Sequence, residues 1–239
     1  MNNQILELND VWISFDNKKT YILKDINFGL SKWEVMSIIG VNWSWKTTLL
    51  KVIAWIYKNS LWKIKRNYKR LSYVPQKIDI DKTFPIRVNE FIQIYNDKIN
   101  QKELLWYFKK FDSEKLIDKN ISALSGGELQ KVLIISALIS KPDIILLDEP
   151  TSWIDIIWED IFYELVGDIK KIFPHISIIL ISHNINLVYK NSDKVVCLHK
   201  DNFCCHWTPK EINDNIEVKK IFWDYVLPYE HTHHNKHIH

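Results

Sequence analysis

Glycine is scarce in this sequence: the chain has 5 glycines among 239 residues, whereas about 7% of the residues of an ordinary globular protein are glycine. Tryptophan is abundant in turn, with 11 residues. Together the two residue types reach about the share that glycine alone usually has. This exchange of the smallest residue for the largest is the feature of the composition that most needs a physical explanation.

Other absences restrict the class of protein. The 3 cysteines include the adjacent pair Cys204 and Cys205, which makes no disulfide framework. No apolar run approaches the 18 or more residues of a membrane span, and the N-terminus lacks the charged-then-apolar order of a secretion signal. The net charge of +3 is too small to indicate nucleic acid as a partner. We therefore expect a cytoplasmic globular protein that does not bind nucleic acid.

Short apolar runs alternate with helix-like segments along the chain. Three runs have the pattern of buried strands: VMSIIG (35–40), DIILLDEP (143–150) and SIILISH (177–183). Two segments are typical of helices: KTTLLKVIAW (46–55) and LQKVLIISALIS (129–140). The alternation predicts an α/β protein with a mostly parallel sheet and helices on both faces. Residues 1–30 indicate antiparallel strands at one edge, and residues of about 83–124 indicate an inserted helical subdomain.

Polar residues collect at the carboxyl ends of these strands, where parallel sheets bind their ligands. The segment GVNWSWKTT (40–48) joins a strand to a helix, the context in which backbone N–H groups and a helix N-terminus hold phosphates. Lys46 would reach the β- and γ-phosphate oxygens, and Thr47 would give a hydroxyl to Mg²⁺. A surface loop that ends at a helix is the alternative interpretation.

Four further features have both a chemical and an ordinary interpretation. Asp148 would lie beside Mg²⁺ and Glu149 would polarise the attacking water, or the two end a strand in solvent. The motif LSGGELQ (124–130) places a serine and two glycines before a helix, as an anion cradle or as a simple helix cap. His183 contacts a γ-phosphate or is structural. Gln76 in YVPQK either serves the site or is a polar loop residue.

In this order and at these distances, the phosphate loop, Gln76, LSGGE, LLDEP, TSWID and His183 resemble the motifs of the nucleotide-binding subunit of an ABC transporter. The resemblance covers about residues 5–225. It implies a P-loop NTPase (RecA-like) fold in a domain of residues 1–225, followed by a His-rich tail at 226–239, and ATP hydrolysis with ATP and Mg²⁺ as cofactors. The implied ATP-binding residues are Phe15, Gly40, Val41, Asn42, Trp43, Ser44, Trp45, Lys46, Thr47, Thr48, Ser125, Gly126 and Gly127. The implied catalytic residues are Glu149, His183 and Gln76, and the implied Mg²⁺ ligands are Thr47, Gln76 and Asp148.

The resemblance also implies partners. Two copies would pack head to tail, with ATP between the phosphate loop of one copy and the LSGGE motif of the other, and Asp155 would lie in the loop that links the two sites. Separate integral-membrane permease subunits would dock beside Gln76, which places the chain at the cytoplasmic face of the plasma membrane. An extracytoplasmic metal-binding protein would be an indirect partner. The alternative is an ABC ATPase of translation or DNA repair, although those usually carry two cassettes or long insertions.

The excess tryptophans stand mostly where the family has glycine. At Trp43 and Trp45 an indole would obstruct the backbone amides that hold the phosphates. Seven more match family glycines or are close to doing so: Trp33, Trp55, Trp62, Trp153, Trp158, Trp207 and Trp223. Trp12 and Trp106 are less clear. Our hypothesis is that UGA codons specify glycine in this gene and have been translated as tryptophan; the alternative is a degenerate subunit that does not hydrolyse ATP.

Three segments narrow the choice of transported substrate. FPIRVNEF (84–91), CLHKDNFCCHWTP (197–209) and the closing residues up to HTHHNKHIH (231–239) resemble segments of subunits that serve zinc and manganese uptake. Neighbouring strand residues point to opposite faces, so Cys204, Cys205 and His206 do not all face one ion and are better explained as packing residues. Neutral imidazoles bind zinc well, so the tail favours zinc over manganese. Importers of another substrate, such as an iron chelate, remain the alternative.

Overall fold

A computed structural model describes most of the chain: residues 3–16, 19–40, 45–57, 60–78, 85–150, 156–182, 188, 190–198, 204–208 and 211. Only the backbone is described for residues 60–62, 156–161, 163 and 204–207. The loop residues Val41, Asn42, Trp43 and Ser44, together with Asp155, His183 and the His-rich tail, lie outside the described residues.

The strands of the described residues form two sheets. The larger sheet has six strands in the order β5-β6-β7-β3-β8-β9, all parallel except the β8–β9 pair. The smaller sheet is antiparallel, in the order β2-β1-β4. The strands are β1 Gln4–Ile13, β2 Leu23–Ser31, β3 Val35–Gly40, β4 Ser60–Arg66, β5 Leu71–Val74, β6 Ile144–Leu147, β7 Ser177–Ile181, β8 Lys194–Leu198 and β9 Cys204–Trp207. The expected α/β class, with a parallel sheet and an antiparallel N-terminal edge, is confirmed.

The central strands are apolar throughout because both of their faces are covered. Along β6, Ile144 and Leu146 pack into one apolar cluster, and Ile145 and Leu147 pack into a second cluster on the opposite face. All four side chains are fully buried. Burial of such a side chain stabilises the fold by about 1.5–3 kcal/mol, so the two clusters fix the sheet and with it the positions of the strand ends.

Five α-helices have bounds within the described residues, and along the chain they lie between the strands. They are α1 Lys46–Ile53, α2 Val88–Tyr95, α3 Gln101–Lys110, α4 Gly126–Ile139 and α5 Ile156–Ile172. Between β5 and α4, the described residues hold α2, α3 and two short 3-10 helices, and they belong to neither sheet. Helix α4 is apolar on nearly every side and is largely buried, as expected for a helix packed between sheet and helical segment. No helix in the described ranges combines the length and the apolarity required to cross a membrane.

Helix α1 ends in a turn that ordinarily requires glycine. The N–H of Trp55 donates to the carbonyl of Val52 at 3.1 Å, and the N–H of Ile56 donates to the carbonyl of Lys51 at 2.8 Å. These two bonds form a Schellman motif, in which the residue after the C-cap adopts the left-handed conformation. That residue is Trp55, with φ at 62°. Its indole is 58% exposed, so core packing does not account for a tryptophan at this position.

The turn between β2 and β3 shows the same substitution. Trp33 is the third residue of a four-residue turn that Glu34 N–H closes onto Ser31 carbonyl at 3.4 Å, and its φ is 67°. A positive φ at this position is the mark of a type II turn, which favours glycine there. The indole of Trp33 is 58% exposed. By contrast, Trp12 in β1 and Trp106 in α3 have negative φ angles.

Candidate nucleotide site

Lys46 is the first residue of α1 and lies at the carboxyl end of β3. Its side chain turns back over the strand end, where Nζ donates to the Gly40 carbonyl at 3.0 Å and lies 3.7 Å from Oε1 of Glu149. The residue is only 5% exposed. Thr48 follows in the first turn of the helix and is half-buried. A buried ammonium at a helix N-terminus, where the helix dipole is positive, is suited to an anionic ligand.

Trp45 caps this helix in the left-handed conformation, with φ at 63° and ψ at 23°. No side-chain hydrogen bond caps the helix start, and the indole of Trp45 is 45% exposed. Bulky residues occur rarely in this conformation because Cβ lies too close to the carbonyl oxygen. The residue directly before Lys46 therefore has a backbone that suits glycine and carries a tryptophan.

Asp148 follows β6 and is bound through both carboxylate oxygens. The Thr47 hydroxyl donates to Oδ1 at 2.9 Å, and the Tyr73 hydroxyl donates to Oδ2 at 2.7 Å. The side chain is 1% exposed. Sequence reasoning predicted Thr47 and Asp148 but missed Tyr73, which lies three residues before Gln76 on β5. The only signal for Tyr73 was the presence of a hydroxyl-bearing aromatic near the end of a strand that leads into the site.

Gln76 and Glu149 contact each other across neighbouring strand ends. Gln76 Nε2 donates to Glu149 Oε2 at 2.8 Å, while the other carboxylate oxygen of Glu149 faces Lys46. Glu149 has a positive φ of 42°, a sparsely populated conformation that is found disproportionately at functional sites. The structure thus brings together six of the predicted residues: Gly40, Lys46, Thr47, Gln76, Asp148 and Glu149.

Burial shapes the electrostatics of this group. It lowers the pKa of the Lys46 ammonium, and the carboxylates of Glu149 and Asp148 oppose that shift. It raises the pKa of Asp148, against the hydrogen bonds from Tyr73 and Thr47. Burial also raises the pKa of Tyr73, as does its bond to Asp148, so this phenol remains a donor at neutral pH. The Lys46 ammonium and the Asp148 carboxylate are therefore poorly solvated. A phosphate beside the first and a divalent cation beside the second would compensate for the lost solvation.

Mg²⁺ fits the donor set of this pocket. It binds oxygen ligands from one or two carboxylates, hydroxyls, water and phosphate, and the pocket offers the Thr47 hydroxyl 2.9 Å from a buried carboxylate oxygen of Asp148. Gln76 follows β5, the strand that pairs with β6. No group of three or more histidine, cysteine or acidic side chains placed to hold a metal ion is found among the described residues. The side chains of Cys204, Cys205 and His206 are outside them.

Val41, Asn42, Trp43, Ser44 and His183 lie outside the described residues, and four other predicted residues lie away from this cluster. Ser125 caps α4: its Oγ accepts from Glu128 N–H at 3.3 Å, and its own N–H donates to Glu128 Oε2 at 3.0 Å. Gly126 and Gly127 form the first turn of that helix. Phe15 follows β1, is 47% exposed and meets the ring of Tyr57 edge-on at 5.2 Å.

A buried lysine that opens a helix after the central strand, beside a hydroxyl–carboxylate pair suited to Mg²⁺, occurs here on a parallel sheet of the RecA-like kind. The chain is accordingly a P-loop ATPase. Its particular family follows from sequence: the profile described as ABC transporter matches residues 23–152, more than half of the chain. The protein belongs to the ABC transporter family.

Similar proteins span nearly the whole chain. A zinc import ATP-binding protein, ZnuC, from Buchnera aphidicola subsp. Baizongia pistaciae is 37% identical over 97% of this chain and 98% of its own length. The protein of that name from Wigglesworthia glossinidia brevipalpis is also 37% identical, over 96% of this chain and 99% of its own.

Solved structures share the fold. cbiO1 from Clostridium perfringens, part of the ABC transporter complex cbiONQ, superposes with a TM-score of 0.78 at 24% identity, over 92% of this chain and 94% of its own. A nucleotide-free ATP-binding cassette from an ABC transporter superposes with a TM-score of 0.77 at 18% identity, over 92% and 98%.

Proposed function

We propose that this chain binds ATP with Mg²⁺ and hydrolyses it to drive import of a divalent metal ion, zinc, through separate membrane subunits. The observation that carries the proposal is the near full-length similarity to zinc import ATP-binding proteins. Manganese import and import of an iron chelate are the alternatives for the substrate. No observation on the described residues favours either of them over zinc.

The roles proposed for the site residues are those that the family resemblance implies. Lys46 holds the β- and γ-phosphates, together with the backbone of residues 40–48. Thr47, Gln76 and Asp148 hold Mg²⁺, which neutralises charge on the transferred phosphoryl group. Glu149 polarises the attacking water. His183 contacts the γ-phosphate, and Phe15 stacks on the adenine.

The assembly completes the site. Two copies pack head to tail, so that Ser125, Gly126 and Gly127 of one copy cover the ATP bound to the other. The start of α4 supports this role because its backbone N–H groups lie at the positive end of a helix dipole. Permease subunits dock beside Gln76 at the cytoplasmic face of the membrane, and an extracytoplasmic metal-binding protein delivers the ion to them.

The working chain has glycine at positions 33, 45 and 55. In all three, tryptophan occupies the left-handed conformation that glycine tolerates, and all three indoles are exposed. We extend the assignment of glycine to position 43, because it matches a glycine of the family's phosphate loop. Trp62, Trp158 and Trp207 lie within a strand or a helix, where the backbone does not itself require glycine. UGA codons read as glycine account for the tryptophans at 33, 43, 45 and 55.

A titration and an uptake assay test the proposal. With glycine at positions 43 and 45, the full-length chain is expected to bind MgATP in isothermal titration and to hydrolyse it. With tryptophan at both positions, binding is expected to be weak or absent, and micromolar affinity there would contradict the steric argument. In cells, loss of the gene is expected to lower accumulated zinc. Unchanged zinc with lowered manganese or iron would reject the zinc assignment.

A further inference from the structure

Tyr73 has no part in the activity as proposed above, yet its hydroxyl makes the shortest hydrogen bond to the carboxylate of Asp148. We propose that Tyr73 is a positioning residue for Mg²⁺: its hydroxyl fixes Oδ2 of Asp148 so that Oδ1 is directed at the metal position beside Thr47. The inference rests on the proposed function. Tyr73 lies on β5, three residues before Gln76.

The register of the sheet explains how Tyr73 reaches the site. Tyr73 pairs with Leu146 in the parallel β5–β6 ladder, and Asp148 lies two residues beyond Leu146. Residues two apart on a strand share a face, and the rise between them is about 6.6 Å. A long side chain such as tyrosine spans that rise, and the 2.7 Å bond shows that it does. The Asp148 N–H also donates to the Val74 carbonyl at 3.0 Å, which holds the backbone of Asp148 to β5.

Bound Mg²⁺ would affect the two donors to Asp148, Thr47 and Tyr73, differently. Thr47 donates to Oδ1 in this structure, and in the proposed complex its hydroxyl oxygen turns to the metal. Tyr73 is partly buried in the apolar cluster beneath α1 and keeps its bond to Oδ2. Because Asp148 is 1% exposed, loss of that bond would leave a buried carboxylate oxygen without its donor. Partners of this kind orient metal ligands, and their removal typically weakens metal binding about 10- to 100-fold.

The test separates metal binding from nucleotide binding. The full-length chain, prepared with glycine at 43 and 45, is titrated with a fluorescent ATP analogue in EDTA and again in Mg²⁺. For Tyr73→Phe, we expect affinity in EDTA to match the parent and the gain from Mg²⁺ to fall about 10-fold or more. Tyr73→Leu, which also lacks the hydroxyl but keeps an apolar side chain, is expected to show the same loss. Tyr68→Phe is the matched control, because Tyr68 packs against the same cluster and its hydroxyl faces Arg66.

Each contrary result has a distinct meaning. Equal loss of affinity in EDTA and in Mg²⁺ would make Tyr73 a general structural residue and overturn the inference. An undiminished gain from Mg²⁺ in Tyr73→Phe would overturn it as well, while leaving the ATPase proposal intact. A parent chain that binds the analogue in neither buffer would overturn the proposed function and this inference together.

Discussion

Position 55 allows a test of the glycine hypothesis that does not depend on ATP. Trp55 is the left-handed residue of the Schellman motif that ends α1, with φ at 62°. Glycine adopts this conformation without strain, whereas a residue with a Cβ incurs about 1–2 kcal/mol. Glycine also has more conformational entropy in the unfolded chain than alanine, which offsets this advantage by about 0.4–1 kcal/mol. We therefore expect Trp55→Gly to be more stable than Trp55→Ala by about 0.5–1 kcal/mol.

The comparison of glycine with alanine removes a complication. The Arg66 guanidinium lies 4.3 Å from the centre of the Trp55 ring, a contact that contributes about 0.5–1 kcal/mol at an exposed site. Both substitutions lose this contact and the partial burial of the indole, so both losses cancel in the difference. Only the backbone preference of position 55 remains.

Trp106 is the matched control. It lies within α3, has a negative φ and packs edge-on against Tyr107 at 4.9 Å and Phe173 at 5.9 Å. In a helix interior, glycine is less stable than alanine by about 0.8–1 kcal/mol. The order of stability of the two variants should therefore reverse between positions 55 and 106.

Equilibrium unfolding in urea, followed by far-ultraviolet circular dichroism, measures the four variants without relying on tryptophan fluorescence. For a chain of this length, 1 kcal/mol corresponds to about 2–4 °C in Tm, so thermal unfolding gives an independent check. If alanine at position 55 proves as stable as glycine, the left-handed backbone is not imposed there, and the structural argument for glycine fails.

Three further predictions concern the turn at Trp33, the proposed base Glu149 and the cap of α4 at Glu128. Trp33→Gly should likewise exceed Trp33→Ala in stability by about 0.5–1 kcal/mol, and equal urea midpoints would contradict this. Glu149→Gln should retain MgATP binding in calorimetry but lose about 10²- to 10⁴-fold in hydrolysis; hydrolysis at the parent rate would exclude Glu149 as the base. The hydrogen bond from Lys119 holds the pKa of Glu128 below its ordinary value. Its stabilisation is thus present above an unfolded pKa of about 4.3 and is lost as pH falls through the lower folded pKa. Glu128→Gln should therefore be less stable than the parent at pH 7 and approach it in acid, and a pH-independent difference would reject this explanation.

Local pattern was enough to predict the central strands and the helices that flank them. VMSIIG coincides with β3, and the predicted apolar helix at 129–140 lies almost wholly within α4, because fully buried elements have continuous apolar sequences. The order of the strands in the sheet was not predictable in this way. It depends on pairing between distant segments, such as β3 with β7 and β8, which no short window of sequence contains.

The site was predictable where a motif specifies chemistry and not where only geometry does. Lys46, Thr47, Asp148 and Glu149 belong to short motifs, and the parallel sheet brings them together at its carboxyl edge. Tyr73 belongs to no chemical motif, because its role depends on the register between β5 and β6 and on the reach of one side chain. The contact of Gln76 with Glu149 likewise depends on two strand ends that are 73 residues apart in the chain.

The distribution of positive φ angles distinguishes translation of altered codons from decay of the gene. Among the residues that the structure describes, eight other than glycine have positive φ, and three of them are Asp, a residue that tolerates this conformation. Glu149 is part of the candidate site. Three of the remaining four are tryptophans, among the residues that tolerate it least. Random decay would not concentrate tryptophan at these positions while keeping Lys46 beside Glu149 and Thr47 bonded to Asp148. Peptides of the natural protein, sequenced by mass spectrometry, should therefore carry glycine at 33, 45 and 55, and tryptophan found there would favour the degenerate subunit.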